Sequence, residues 1–168
     1  MILVPEFMHS TIGQCPRVTL MRFPFRSIST LAFKLNDDGN NTLVALLDHP
    51  ELPKPCFASL QNHLPCLAYA SDWVIETIPN ASSFAGNHGY SQVPGVLHAQ
   101  QDDVLIRLNK GGSDSHFDAG YLSLKTGAFG DTTNKSVPFT NWRIWATEKD
   151  RDTGRTKPLF IFEHKDSE

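Results

Sequence analysis

Residues 111–124 read GGSDSHFDAGYLSL, and the choice between a polar turn and a metal-bearing strand here decides which kind of β protein the chain is. His116 and Asp118 stand two apart, ahead of a run that alternates apolar and polar residues. Side chains on a strand alternate between its two faces. A strand drawn through the stretch puts His116, Asp118, Gly120, Leu122 and Leu124 on one face, and Phe117, Ala119, Tyr121, Ser123 and Lys125 on the other. An imidazole and a carboxylate then converge above a leucine floor, which is what a metal in the mouth of a β-barrel needs. A second histidine completes a two-histidine, one-carboxylate facial triad that leaves metal positions open for oxygen and a co-substrate. His164 is the candidate, because in PLFIFEHK it alternates onto the face of Phe160 and Phe162, and His98 stands in reserve. The competing reading is a turn in which Ser and Asp bond to nearby backbone and His116 stays in solvent.

The flanking sequence favours strands. Eleven glycines and eleven prolines punctuate the chain, and no window sustains three turns of helical periodicity without a breaker. Strands are expected at RVTLMRF (17–23), STLAFKL (29–35) and TLVALLD (42–48), the last two joined by the hairpin turn NDDGNN. DWVIETI (72–78) and DDVLIRLN (102–109) follow the same pattern. TNWRIWATEKD and KPLFIFEHK, joined by RDTGRT, read as a long hairpin with an aromatic face. Four prolines between Pro50 and Pro65 suggest a surface connection, and PGVLHAQQ suggests a short helix with Pro94 at its first position. The expected architecture is a single β-rich domain over residues 1–168, mainly β, barrel or jelly-roll-like, with one or two short helices.

A net charge of −3, with lysines and arginines dispersed, lacks the basic footprint of a nucleic-acid binder. The apolar run of MILVPEFMHS stops at Pro5, and no later window reaches the roughly 18 apolar residues of a membrane span. Three cysteines without a CxxC pair fit neither a disulfide framework nor a zinc knuckle. A cytoplasmic, soluble protein acting on a small molecule, with neither nucleic acid nor membrane as partner, is the expectation. The cysteines are read as small apolar packing groups.

HFDAGYLSL resembles the metal-binding stretch of the iron(II)- and 2-oxoglutarate-dependent oxygenases of the isopenicillin N synthase type. Their pattern is His-x-Asp-x-Gly followed by an apolar residue, Thr or Ser, and Leu. Phe84, Asn87, His88 and Gly89 in SSFAGNHGYSQ are similar to an Asn-His-Gly turn of the same family, and LIRLN resembles the Arg-Leu-Asn strand that precedes its metal motif. The likeness covers residues 84–124. It implies a double-stranded β-helix in which His116 and Asp118 hold iron(II), with 2-oxoglutarate as co-substrate. A second segment, GYSQVPGVLHAQQDDVLIRLN, is similar to part of the DDE insertion-sequence transposases. In that family an aspartate stands just before the Gly-Tyr turn, where this chain has Asn87. That likeness implies an inactive remnant, because phosphoryl transfer fails without the metal-binding carboxylates, and a helix-rich, mainly parallel layer around residues 85–109.

Taken together, the sequence predicts an oxidoreductase with iron(II) held by His116, Asp118 and His164. The alternatives are a β-barrel or sandwich that binds a ligand or partner without catalysis, and the transposase fragment.

Overall fold

The structure, a computed structural model, describes residues 7–52, 54–84, 90, 92–111 and 119–165. In chain order the strands are β1 (Phe7–Thr11), β2 (Leu20–Phe25), β3 (Ile28–Asp38), β4 (Asn41–Leu46), β5 (Cys56–Gln61), β6 (Pro65–Tyr69) and β7 (Val74–Thr77). After the short helix α1 (Ala81–Phe84) come β8 (Leu97–Gln100), β9 (Asp103–Lys110), β10 (Ala119–Ser123), β11 (Phe129–Gly130), β12 (Val137–Phe139) and β13 (Asn141–Trp145). Helix α2 (Glu148–Thr153) and β14 (Phe160–Glu163) complete the set. The protein is mainly β, as its punctuation predicts.

Eleven strands make one sheet in the order β1-β6-β2-β3-β4-β5-β9-β10-β11, with β8 pairing both β9 and β12. A second, three-stranded sheet runs β14-β13-β7. Among the described residues the large sheet does not close on itself: β1 and β11 stand at its two ends.

Local turn chemistry sets the register. The β3–β4 hairpin turns through Gly39 and Asn40, with Asp38 opposite Asn41 and Gly39 at φ +58°, a left-handed conformation that glycine adopts without steric cost. The β2–β3 hairpin turns through Arg26 and Ser27, both at positive φ, with Phe25 opposite Ile28. Along β3 every residue from Thr30 to Leu35 is buried, because both faces of the sheet are covered there. Leu31, Phe33 and Leu35 join a cluster with Leu20, Ala45, Ile106, Leu122 and Trp142. Ala32, between them, faces the opposite way into a cluster with Ile12, Cys15, Met21, Val44 and Cys66.

The smaller sheet docks through aromatic side chains. Trp142 is fully buried, stacks on Phe162 with ring centroids 5.7 Å apart and packs against Phe160 at 5.2 Å. Its indole Nε1–H donates to the Gly95 carbonyl at 2.8 Å. Gly95 in turn donates its N–H to the Arg107 carbonyl of β9 at 2.7 Å. The expected aromatic hairpin is present, with Trp142 opposite Phe162.

Three expectations are corrected. PGVLHAQQ is not helical: Leu97–Gln100 is a strand, because it finds ladder partners on both sides, β9 and β12. The segment between Pro50 and Pro65 is not merely a connection, since Cys56–Gln61 pairs with β4 over its whole length and with β9 in parallel at Cys56 and Phe57. None of the four prolines lies inside that strand, and Pro65 opens the next one, so no ladder donor is lost. Finally, β13 stops at Trp145 and the connection to β14 contains α2. Thr147 caps that helix by accepting from the Asp150 N–H at 3.1 Å, and Gly154 ends it at φ +59°.

Gly95 has φ +90°, and a methyl group there would run into the Phe162 ring. Gly95→Ala therefore combines left-handed strain with displacement of an aromatic that packs on Trp142. A loss of about 3 kcal/mol is expected, seen as a Tm lower by roughly 6–12 °C; a Tm within 2 °C or so of the parent would show that the two sheets are not fastened at this point.

Candidate functional site

Strands β8, β9 and β10 form a continuous antiparallel unit in which Leu97 and Leu122 both pair with Ile106, while His98 pairs with Leu105 and Tyr121 with Arg107. Directly paired residues share a face. One face of the unit thus presents Leu97, Ile106, Leu108 and Leu122 to the core. The other carries His98, Leu105, Arg107 and Tyr121.

That second face holds a buried polar cluster. His98 is fully buried and its ring stands edge-on to Tyr121, with centroids 5.1 Å apart. The Arg107 guanidinium, only 6% exposed, lies over the same tyrosine ring at 4.9 Å, a cation–π contact. Its Nη2 donates to Gln92 Oε1 at 3.1 Å. Among the described residues, neither ring nitrogen of His98 nor Arg107 Nε has a hydrogen-bond partner, and no carboxylate reaches Arg107. Burial first, and the Arg107 charge second, push the His98 imidazole down to about 4 from its ordinary 6.5. His98 is accordingly neutral at physiological pH.

The opposite face of the hairpin borders a groove of about 810 Å³. Its floor is apolar: Trp73 and Ile75 from the β7 segment, Val104 from β9, Leu124 and Phe139. Its rim is polar, with Gln100, Asp102, Asp103 and Lys125. Lys125 Nζ donates to the Asp102 carbonyl at 3.2 Å, and Asp103 Oδ1 accepts from the Val104 N–H at 2.8 Å, so the β8–β9 turn is held in shape. A concave, mostly apolar space of this size with a few placed polar groups is the general form of a small-molecule site.

The residues singled out from the sequence fare differently. His116 and Asp118 lie outside the described residues, as do Asn87, His88 and Gly89. His164 lies just beyond β14, with its backbone N–H on the Thr140 carbonyl at 2.9 Å and its ring 6.2 Å from Tyr90, edge to face. His98, the reserve ligand, is enclosed with Arg107 and Tyr121, an environment that disfavours a further cation. Among the described residues no three His, Cys, Asp or Glu side chains group as metal ligands, and no helix is long and apolar enough to cross a membrane. Around residues 97–110 the chain is an antiparallel hairpin, not the helix-rich parallel layer that the transposase likeness implies. Sequence reasoning missed the groove, although DWVIETI already alternates Trp73, Ile75 and Thr77 onto one face; what it lacked was the partner surface.

No protein-family model matches the chain, and no curated protein and no solved structure matches it either.

His98 supplies a pH test. Its folded-state value lies below its unfolded one, so the unfolded chain binds the extra proton between the two. His98 therefore leaves stability undiminished above pH 6.5 and lowers it as pH falls toward 4, by up to about 3 kcal/mol. Denaturant melts across that window should show His98→Leu with a flatter pH dependence than the parent. Parallel curves would mean that His98 meets water in the folded state.

Proposed function

We propose that the protein is a small β-sandwich, jelly-roll-like in its two-sheet layout, that binds a small and mostly apolar organic molecule without transforming it. The observation that carries this reading is the groove between the β7 segment and the β8–β9 hairpin, with its floor of Trp73, Ile75, Val104, Leu124 and Phe139 under a polar rim. Burying an apolar ligand against such a floor contributes roughly 25 cal/mol for each Å² taken from water. The rim then fixes orientation: the carboxylates of Asp102 and Asp103 and the amide of Gln101 suit a ligand whose exposed end donates hydrogen bonds. Among the described lining residues none pairs a nucleophile with a base, which is why binding rather than turnover is proposed.

A second reading keeps the sequence expectation of an iron(II) oxygenase, with His116, Asp118 and His164 as ligands and 2-oxoglutarate as co-substrate. It is favoured by one observation, that Ala119–Ser123 is a strand whose alternation sends Leu122 into the core, as the His-x-Asp stretch requires of its continuation. In that reading iron would supply oxygen activation, and the chain would supply ligands and an apolar enclosure.

Titration with the neutral apolar fluorophore N-phenyl-1-naphthylamine separates the two. Saturable one-to-one binding that quenches tryptophan emission is expected, weakened at least tenfold, about 1.4 kcal/mol, by Leu124→Lys at unchanged Tm. Equal affinity in the variant would remove the groove as the site. Anaerobic iron(II) calorimetry beside a His116→Ala, Asp118→Ala variant forms the other arm, and stoichiometric binding lost in that variant would move the function to the second reading.

A further inference from the structure

The apolar cluster on the far side of β3 contains all three cysteines, and two of them meet. Cys15 Sγ and Cys66 Sγ are 3.6 Å apart, and both residues are buried, at 5% and 3% exposure. They are 51 positions apart in the chain, so the contact is a product of the fold rather than of local sequence.

The backbone on each side is already fixed in register. Cys66 sits in β6 opposite Ser10 of β1. Beyond β1, Ile12 and Gly13 donate their N–H groups to the Leu64 and Asn62 carbonyls, both at 2.9 Å. The Cys15 N–H reaches back to the Thr11 carbonyl. Lys34, 1% exposed, donates to the Gly13 carbonyl at 2.8 Å and pairs with Asp37 at 3.0 Å, tying the same turn to β3. A disulfide has its sulfurs ~2.05 Å apart, so each side chain has to move by less than about 1 Å.

We propose that Cys15 and Cys66 are a thiol pair that closes to a reversible disulfide, stapling the turn after β1 to strand β6. The oxidant is a small disulfide such as oxidised glutathione. One protein thiol, as thiolate, attacks a glutathione sulfur and expels the first reduced glutathione. The second protein thiolate then attacks the mixed disulfide and expels the other, so two protein thiols and one small disulfide give one protein disulfide and two small thiols. Reagent can approach from two sides, since Cys15 lines a cleft with Gln14 and Arg17 while Cys66 lines a different one with Arg22 and Phe23. Burial, chiefly, and the hydrogen bond with Cys15 push the Cys66 thiol up to about 12, which makes closure slow at neutral pH. Cys56 lies in β5 and is left as the single free thiol.

Equilibration of the full chain with oxidised glutathione, an alkylation quench and peptide mapping test this directly. Expected are an intact mass lower by about 2 Da, a linked Cys15–Cys66 peptide, an alkylated Cys56 and reversal by dithiothreitol. The oxidised form should melt on the order of 10 °C higher, because the crosslink constrains a long loop of the unfolded chain; Cys66→Ala should abolish both changes. Alkylation of both Cys15 and Cys66, a stable glutathione adduct on either, or a bond from one of them to Cys56 would overturn the proposal. These readouts on the parent protein stand even if the alanine variant fails to fold.

Discussion

The bond from the Trp142 indole to the Gly95 carbonyl fixes where the apolar faces of the two sheets meet. Trp142 cannot bury its ring without finding a partner for its N–H, because an unpaired buried donor costs about 1–3 kcal/mol. The Gly95 carbonyl is available only because the residue there takes a positive φ and has no side chain against Phe162. Gly95 also starts the pairing of β8 with β9 through its N–H on Arg107. One glycine therefore serves both sheets, and the groove exists because β7, carried by β13, is set at a fixed distance from the β8–β9 hairpin.

Much of the β architecture is legible in the sequence, and the reason is visible in the elements that were read well. NDDGNN supplies the residues that tolerate left-handed backbone between two apolar runs, and the β3–β4 hairpin turns there. NWRIW and FIFE carry enough aromatic alternation to pair with each other. Short segments were harder. LHAQ, in β8, has no period of its own and becomes a strand because β9 and β12 offer it hydrogen bonds from both sides, a tertiary override of local preference. Cys56–Gln61 was hidden by its neighbours, since prolines outside a strand look the same in a sequence as prolines within one.

The candidate site was less legible, for a physical reason. Alternation says which residues share a face but not what lies opposite. His98 could be named as a histidine on a strand-like stretch, yet its enclosure with Arg107 and Tyr121 depends on a register between β8, β9 and β10 that no local pattern sets. Alternation puts His164 on the face of Phe160 and Phe162; those two rings pack on Trp142, while His164 lies past the end of the strand, against Tyr90. His116 and Asp118 lie outside the described residues, and the described strand that continues their stretch begins at Ala119.

The β8–β9–β10 unit shows how a fold carries a polar cluster that does not stabilise it. Leu97, Ile106, Leu108 and Leu122 are fully buried on one face, and at about 1.5–3 kcal/mol for each such side chain they contribute on the order of 6–12 kcal/mol before chain entropy is counted. An imidazole with no partner among the described residues costs about 1–3 kcal/mol, and a buried guanidinium without a carboxylate costs more, its cost reduced by the Gln92 amide and the Tyr121 ring. The apolar burial is the largest favourable contribution to this unit. The strand pairing is thus dictated by the leucines and Ile106, and His98 and Arg107 are carried into the interior because the period of a strand leaves them no other side. The same period places Val104, two residues from Ile106 and on its face, at the edge of the groove. The residues that fix the hairpin in the core and the one that lines the groove therefore lie on one continuous apolar surface, so a ligand bound there, as proposed, would stabilise the pairing that creates the groove.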